Sequence, residues 1–153
     1  MSDDGSPRAI ADADRLGLAF EVTRHGPVRS LEEAAAARGV EPHQLVKTMV
    51  VRVSADEHVF VLVPGDREIA WPKLRALLRV NRLTMASADA ARDVTGYVRG
   101  TITPLGSRTP LRVVADASIE GRVSLGGGAH GVALTVDAAE LVAALDATAA
   151  DVT

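Results

Sequence analysis

Lys47 lies in a stretch whose residue types alternate as they do in a β-strand. The segment QLVKTMVVRV, residues 44–53, predicts a strand from about residue 45 to 53. Side chains alternate between the two faces of a strand, so one face would carry Leu45, Lys47, Met49, Val51 and Val53. Natural cores avoid an unpaired ammonium group, and this chain uses only 2 lysines beside 15 arginines. The pattern suggests that a compact ammonium group is required here, and a lysine that reaches solvent near the strand end is the alternative.

A second candidate is the loop TGYVRGTITPLG, residues 95–106. Gly96, Gly100 and Gly106 let the backbone approach a ligand without a Cβ in the way, and Pro104 stiffens the segment. A rigid loop with exposed N–H groups can stabilise an oxyanion. The alternative is a glycine-rich connection that only tight turns require.

The segment GGGAHG fits a dinucleotide-binding pattern through Gly126, Gly128 and Gly131. That pattern needs a helix to follow, because the helix N-terminus holds the pyrophosphate. VALTV follows instead, with the alternation typical of a strand. We therefore interpret GGGAHG as a hairpin loop between two strands.

The residue inventory argues against several kinds of catalytic centre. The chain has no cysteine, which removes disulfides, thiolate nucleophiles and cysteine metal sites. No serine lies in a nucleophile elbow. The four histidines show no i, i+4 pairing and no zinc-site spacing, so we predict no metal and no cofactor. They are His25, His43, His58 and His130.

Size and composition predict a single domain. A chain of 153 residues with 47% hydrophobic residues can bury one sizeable core. The first residues are acidic and lack a secretory signal, and no apolar stretch reaches transmembrane length. These features, with the absence of cysteine, predict a cytoplasmic protein with no membrane partner.

Positive charge is concentrated in one segment, although the whole chain carries −3. Residues 67–112 contain nine basic and three acidic residues, so the segment carries +6 and the remainder −9. This asymmetry favours a polyanionic partner, with a solvated basic surface as the alternative. Four aromatic residues are too few to stack several bases, so contacts with a nucleic acid would be to phosphates and an end. The candidate contacts are Lys73, Arg75, Arg79 and Arg82.

Periodicity and capping signals predict a mixture of helices and strands with short connections. Helices are predicted from Ser6-Pro7 to Gly17, over 31–38 behind a Ser30/Glu33 capping box, over 71–78, over 88–93 behind Ser87, and after Asp137. Strands are predicted over 18–25, 45–53, 58–64, 82–87, 111–116, 122–125 and 132–136.

Three segments together resemble the YbaK family of free-standing aminoacyl-tRNA deacylases, which is related to the editing domain of bacterial prolyl-tRNA synthetases. They are VKTMVV with Lys47, TGYVRGTITPLG with glycine and proline at 100 and 104, and VSLGGGAHGVALTVDAAELVAAL. The resemblance implies a single α+β domain with a curved mixed sheet flanked by short helices. We assign residues 7–148 to this domain, 1–6 to a disordered N-terminal tail and 149–153 to a C-terminal tail.

The resemblance also implies residue roles. Lys47, Gly100 and Pro104 match the family's functional lysine and its glycine and proline loop, and Lys47 would hold the terminal phosphate or the reacting carbonyl. The implied substrate-binding residues are Met49, Tyr97, Thr101, Ile102, Thr103, Gly127, Gly128 and His130. The chain departs from the family in two places, since Thr101, Ile102 and Thr103 stand where members often have small residues, and His130 stands where many have a basic residue.

The implied activity is metal-independent hydrolysis of the ester in a mischarged tRNA, in trans and with assistance from the 2′-hydroxyl of the substrate. The edited residue would be cysteine on proline tRNA or another small amino acid. The partner would be the acceptor end of aminoacyl-tRNA, with an aminoacyl-tRNA synthetase as a second candidate. A non-catalytic module that binds tRNA or a nucleotide, and an unrelated small-molecule binding protein, are the alternatives.

Overall fold

The computed structural model describes residues 4–153 as a mixed α+β domain. Within this range the helices are α1 (Ser6–Arg15), α2 (Leu31–Arg38), α3 (Trp71–Leu78), α4 (Ala88–Thr95) and α5 (Ala138–Ala144). The strands are β1 (Phe20–Arg24), β2 (Leu45–Ser54), β3 (Glu57–Pro64), β4 (Thr84–Met85), β5 (Arg112–Asp116), β6 (Arg122–Gly126), β7 (Val132–Asp137) and β8 (Thr148–Ala150). The mixed fold predicted from the sequence is confirmed.

All eight described strands belong to one sheet, in the order β1-β7-β6-β2-β3-β5-β8, with β4 paired to β2. Strand β2 is antiparallel to β3 and β4 and parallel to β6. Strands β6 and β7 form the predicted antiparallel hairpin around GGGAHG. The sheet is therefore mixed, and β2 lies near its centre.

The alternation along β2 and β3 divides the apolar side chains between two clusters. Val46 and Val50 pack with Phe60 and Leu125 in the larger cluster. Met49 and Val51 face the other side, against a smaller cluster that contains Leu74 of α3. Because β2 contributes to both clusters, its backbone is fixed from both faces.

The predicted caps hold three helices at their N-termini. The side-chain oxygens of Ser30, Ser87 and Asp137 accept the backbone N–H groups of Glu33, Ala90 and Glu140, respectively. These contacts satisfy donors that the first helical turn leaves unpaired.

Helix α1 begins differently from the prediction. Gly5 stands at the cap position, and Ser6 is the first helical residue, with its N–H donating to Asp4 Oδ1 at 3.0 Å. Ser6 is buried, and the Gly5 N–H donates to the Gly128 carbonyl at 2.9 Å. The predicted disordered tail of residues 1–6 is therefore wrong for Gly5 and Ser6. Residues 1–3 lie outside the described part of the chain.

The C-terminal segment also differs from the predicted tail. Strand β8 pairs in parallel with β5, and Val152 is fully buried in the smaller cluster. Asp116 Oδ1 accepts the Val152 N–H at 3.0 Å. Residues 149–153 therefore complete the fold. Strand β4 is shorter than predicted, because only two of its residues pair with β2.

Candidate active site

A cavity of about 620 Å³ lies where the outer edge of β2 has no strand partner. Strand β6 pairs with β2 only at Leu45 and Val46, and β4 pairs only at Val51 and Arg52. The four residues between these pairings, 47–50, line the cavity. A volume of this size suits a small-molecule ligand or the end of a larger one.

Polar groups of β2 point into this gap. The Val50 carbonyl faces the outer edge, because it accepts the Ala86 N–H at 3.0 Å. Peptide groups two residues apart on a strand paired this way face the same edge, so those of Thr48 face the cavity. Thr48 Oγ1 is buried and has no hydrogen-bond partner among the described residues.

Lys47 is held at the cavity wall by two acceptors. Its ammonium group donates to the Arg67 carbonyl at 2.7 Å and to Glu68 Oε1 at 3.2 Å. The Lys47 side chain is 28% exposed and the Glu68 side chain 86% exposed. The ammonium group is therefore partnered at the surface of the cavity and accessible to an incoming anion.

The opposite wall includes the glycine loop, through Gly100 and Ile102. Gly100 has φ +86°, which favours glycine. A Cβ at this position would lie 3.3 Å from Cε1 of His130. The loop thus brings exposed backbone to the cavity at a position where a side chain would be strained.

The β6–β7 hairpin packs against the glycine loop. The Gly128 N–H donates to the Thr101 carbonyl at 3.1 Å, and a Cβ on Gly126 would lie 3.0 Å from the Ile102 carbonyl oxygen. Gly126 lines the cavity, whereas the Gly127 N–H pairs with the Val132 carbonyl. Glycine is required along this face because the two backbones touch.

Helix α1 holds the far end of the same loop at Gly106. Arg8 Nε donates to the Gly106 carbonyl and Asp12 Oδ2 accepts the Gly106 N–H, each at 2.8 Å. Arg8 and Asp12 are four residues apart and therefore lie on one face of the helix. Arg8 also lies 4.4 Å above the Tyr97 ring centroid, and the Tyr97 hydroxyl donates to the Leu105 carbonyl at 2.6 Å. These contacts fix the loop.

Seven residues predicted to bind substrate or act in catalysis do not line the cavity, namely Tyr97, Thr101, Thr103, Pro104, Gly127, Gly128 and His130. Tyr97, Thr101 and Thr103 are buried, and each uses its side-chain oxygen within the loop. Pro104 lines a separate cavity beside α1, together with Phe60. Tyr97, Thr101, Thr103 and Pro104 therefore shape the loop. Adjacent side chains in a tight turn point to different sides, so residues of one motif need not all line the cavity.

Burial alters the pKa of Tyr97. Desolvation raises the pKa of its hydroxyl, and the Arg8 guanidinium over the ring opposes that shift. Since the hydroxyl donates to the Leu105 carbonyl, its protonated form is the structural one.

The structure also brings to the cavity residues that the sequence analysis did not single out. They include Arg38 at the end of α2, Thr48, Met85 and Arg99. Thr48 could have been found, because it is a polar residue between Val46 and Val50 on the face opposite Lys47. Arg38 could not, because only the fold brings the end of α2 to β2.

The basic residues predicted to contact a nucleic acid lie on or after α3. Lys73 forms an ion pair with Asp151 at 2.8 Å and donates to the Thr153 carbonyl. Arg79 has φ +58° at the helix C-cap. None of Lys73, Arg75, Arg79 and Arg82 lines the cavity. They remain predicted contacts with a part of a nucleic acid outside it.

No three His, Asp or Glu side chains within residues 4–153 are grouped as a metal site. In the same part of the chain, no helix is long and apolar enough to cross a membrane.

The fold and the sequence place the chain in a known class. The profile of the aminoacyl-tRNA editing domain matches residues 25–144, so the chain belongs to that family. This membership confirms the resemblance seen in the three segments.

The chain is similar to two proline--tRNA ligases over part of their length. It is 37% identical to that of Syntrophotalea carbinolica over 102 residues, which cover 67% of this chain and 18% of the ligase. It is 40% identical to that of Geobacter sp. (strain M21) over 93 residues, which cover 61% of this chain and 16% of the ligase. The matches span less than a fifth of either ligase.

A solved structure is similar over nearly the whole chain. It is a protein described as a proposed trans-editing enzyme for prolyl tRNA synthetase, with a TM-score of 0.87 and 27% identity. The match covers 97% of this chain and 96% of that one.

Proposed function

We propose that this chain is an aminoacyl-tRNA deacylase that acts in trans and hydrolyses the ester between a small amino acid and the terminal ribose of a mischarged tRNA. The observation that carries the proposal is that Lys47 and Gly100 line one cavity in a domain of the editing family. The structural similarity to a proposed trans-editing enzyme for prolyl tRNA synthetase supports action in trans.

The proposed reaction needs an activated water and a stabilised oxyanion. Water attacks the ester carbonyl, the tetrahedral intermediate collapses, and the ribose oxygen leaves with a proton. No carboxylate or histidine is among the residues that line the cavity. The neighbouring 2′-hydroxyl of the substrate therefore orients the water, and the protein contributes positioning and electrostatics.

Gly100 and Lys47 divide these tasks. The Gly100 N–H, next to the cavity and without a Cβ beside it, donates to the developing oxyanion. Lys47 holds the terminal phosphate, because an ammonium group binds phosphate as a point charge; contact with the reacting carbonyl is the alternative. His130 is exposed beside Gly100 and contacts the part of the substrate outside the cavity.

The cavity wall sets the size of the amino acid. Met49, Val50 and Ile102 are apolar and line the cavity. They favour a small side chain, although one methylene contributes only about 1–3 kcal/mol of discrimination. Cysteine on proline tRNA is one such substrate.

Contacts outside the cavity bind the rest of the tRNA. Arg75, Arg79 and Arg82 meet acceptor-stem phosphates through screened attraction, and Lys73 contributes where its ion pair allows. An aminoacyl-tRNA synthetase that releases the mischarged tRNA is the proposed partner. Both reside in the cytoplasm.

A non-catalytic tRNA-binding module is the second candidate, because the cavity lining offers no general base. Deacylation of a panel of mischarged tRNAs separates the two. The deacylase hydrolyses at least one member far above the uncatalysed rate, whereas tight binding with background hydrolysis across the panel identifies the module.

A further inference from the structure

Positive charge dominates the lining of the cavity. Lys47, Arg38 and Arg99 all line it, and among residues 4–153 no aspartate or glutamate does so. Like charges gathered around one concavity raise the local concentration of an anion. The cavity is therefore built for a ligand that carries negative charge.

Arg38 is the least solvated of these cations. It ends α2, and its Nε atom is buried without a hydrogen-bond partner among residues 4–153. Burial lowers the pKa of this guanidinium, which nevertheless stays protonated in proteins. The residue as a whole is half-buried, and a buried N–H donor that lacks a partner is costly unless a ligand supplies an acceptor.

Arg99 approaches the cavity from the glycine loop. It directly precedes Gly100, and its side chain is exposed. Within the described part of the chain, no hydrogen bond or ion pair engages Arg38 or Arg99. Lys47, in contrast, is already held by Arg67 and Glu68. Two cations of the cavity are thus available to a ligand from the start.

We propose that Arg38 and Arg99 bind the phosphodiester backbone of the RNA 3′ end where it enters the cavity. This inference rests on the proposed function, because it takes aminoacyl-tRNA as the ligand. The carboxyl group of the amino acid is esterified and its amino group is cationic, so phosphates supply the only negative charge in that part of the substrate. Guanidinium groups suit phosphate because their parallel N–H donors match two oxygens.

The assignment separates binding of the RNA strand from the chemical step. Arg38 and Arg99 hold the strand, while Gly100 and Lys47 act at its terminal residue. A substrate without phosphates will not use the two arginines at all. Substitution of either arginine will weaken the binding of a tRNA substrate, with little change in the rate of hydrolysis from the bound state.

The test compares Arg38→Gln, Arg99→Gln and the control Arg112→Gln on two substrates. Arg112 is an exposed arginine on β5, beyond β3 from the cavity. The substrates are full-length aminoacyl-tRNA and the 3′-aminoacyl ester of adenosine, which has no phosphate. Steady-state rates are measured across a salt series, with thermal denaturation to confirm folding.

Each cavity variant should raise KM for aminoacyl-tRNA about 10-fold or more, with kcat within about 3-fold. The slope of log KM against log salt should fall by about 0.7 for each single-strand phosphate that the variant no longer neutralises. Each cavity variant should turn over aminoacyl-adenosine at the wild-type rate. Arg112→Gln should leave KM and kcat unchanged for both substrates. Equal losses on both substrates, or unchanged KM for tRNA, would overturn the proposal.

Binding of uncharged tRNA, measured by fluorescence anisotropy, keeps the two proposals separate. If the wild type hydrolyses neither substrate, the proposed deacylase fails, but weaker tRNA binding by Arg38→Gln and Arg99→Gln still supports the phosphate contacts. If the wild type hydrolyses tRNA and both variants bind and react normally, only the phosphate assignment fails.

Discussion

The carboxylate of Glu68 lies 3.2 Å from the ammonium group of Lys47 at the cavity wall. The carboxylate is mostly exposed, and exposed ion pairs contribute little to stability. Glu68 therefore competes with an incoming phosphate more than it supports the fold. Glu68→Gln should leave the melting temperature unchanged and lower KM for aminoacyl-tRNA about 2- to 5-fold, because a competing anion is removed. A higher KM would mean that Glu68 orients Lys47 for the substrate.

The Gly100 backbone should act on the transition state. Gly100→Ala places a Cβ 3.3 Å from His130 at φ +86°, and so shifts the N–H that we propose as the oxyanion donor. We expect kcat to fall about 100-fold, the scale of losing an oxyanion donor. Gly121→Ala is the matched control, because its φ is +68° and a Cβ there meets nothing within 4 Å. An equal fall in kcat for the two variants would show that backbone strain alone causes the loss of activity.

Asp12 should affect the chemical step from a distance. Asp12→Ala removes the acceptor for the Gly106 N–H and loosens the end of the loop that carries Gly100. Because Asp12 holds the loop and does not line the cavity, kcat should fall about 10-fold while KM stays within about 2-fold. The control is Asp14→Ala, an exposed change on the same helix. A rise in KM with normal kcat would contradict the positioning role.

Asp116 should make stability depend on pH. Burial raises the pKa of its carboxyl, but hydrogen bonds from Ser118 and the Val152 N–H outweigh that effect, so the pKa is lowered. A depressed pKa in the folded state means that the stabilisation is present above the unfolded pKa, about 3.9, and is lost as pH falls through the folded value.

Asp116→Asn should therefore lower the free energy of unfolding by about 2 kcal/mol near pH 7, since the variant has no charged acceptor for these hydrogen bonds. The gap to the wild type should narrow as pH falls below about 4. Urea denaturation of both proteins at several pH values measures this gap. Asp56→Asn, in an exposed turn, is the control. A gap of the same size at every pH would mean that the lost stability comes from altered contacts and that the charge of Asp116 is irrelevant.

The sequence alone predicted β2 and β3 because each is a long run rich in β-branched residues, and a turn segment separates them. Strand β8 was not, since its three alanine-rich residues have little intrinsic preference and pair only because β5 lies beside them. Ser6 illustrates a similar limit, because Ser-Pro predicts a cap but the hairpin contact of Gly5 with Gly128 sets where α1 begins.

For the site, the sequence placed Lys47, Met49, Gly100 and Ile102 in one group, and all four line the cavity. Tyr97 and Thr103 belong to the same motif but do not line the cavity, because neighbours in a loop need not point the same way. The sequence did not indicate Arg38, since eight residues and a change of element separate it from Lys47.

The central claim is that the charge of Lys47 serves the substrate and not the fold. Lys47→Met suits the apolar face next to Met49 and removes only hydrogen bonds to the Arg67 carbonyl and an exposed carboxylate. Lys47→Arg keeps the charge with a bulkier, planar group, so it should rescue activity only in part. Arg52→Met, on the same strand but outside the cavity lining, is the control.

Single-turnover deacylation of a mischarged tRNA, run beside thermal denaturation, tests this claim most directly. We predict that Lys47→Met melts at or above the wild-type temperature and deacylates at least about 100-fold more slowly, while Arg52→Met behaves as wild type. A folded Lys47→Met protein with wild-type deacylation would contradict the site assignment. It would mean that Lys47 is a surface residue with no part in the reaction.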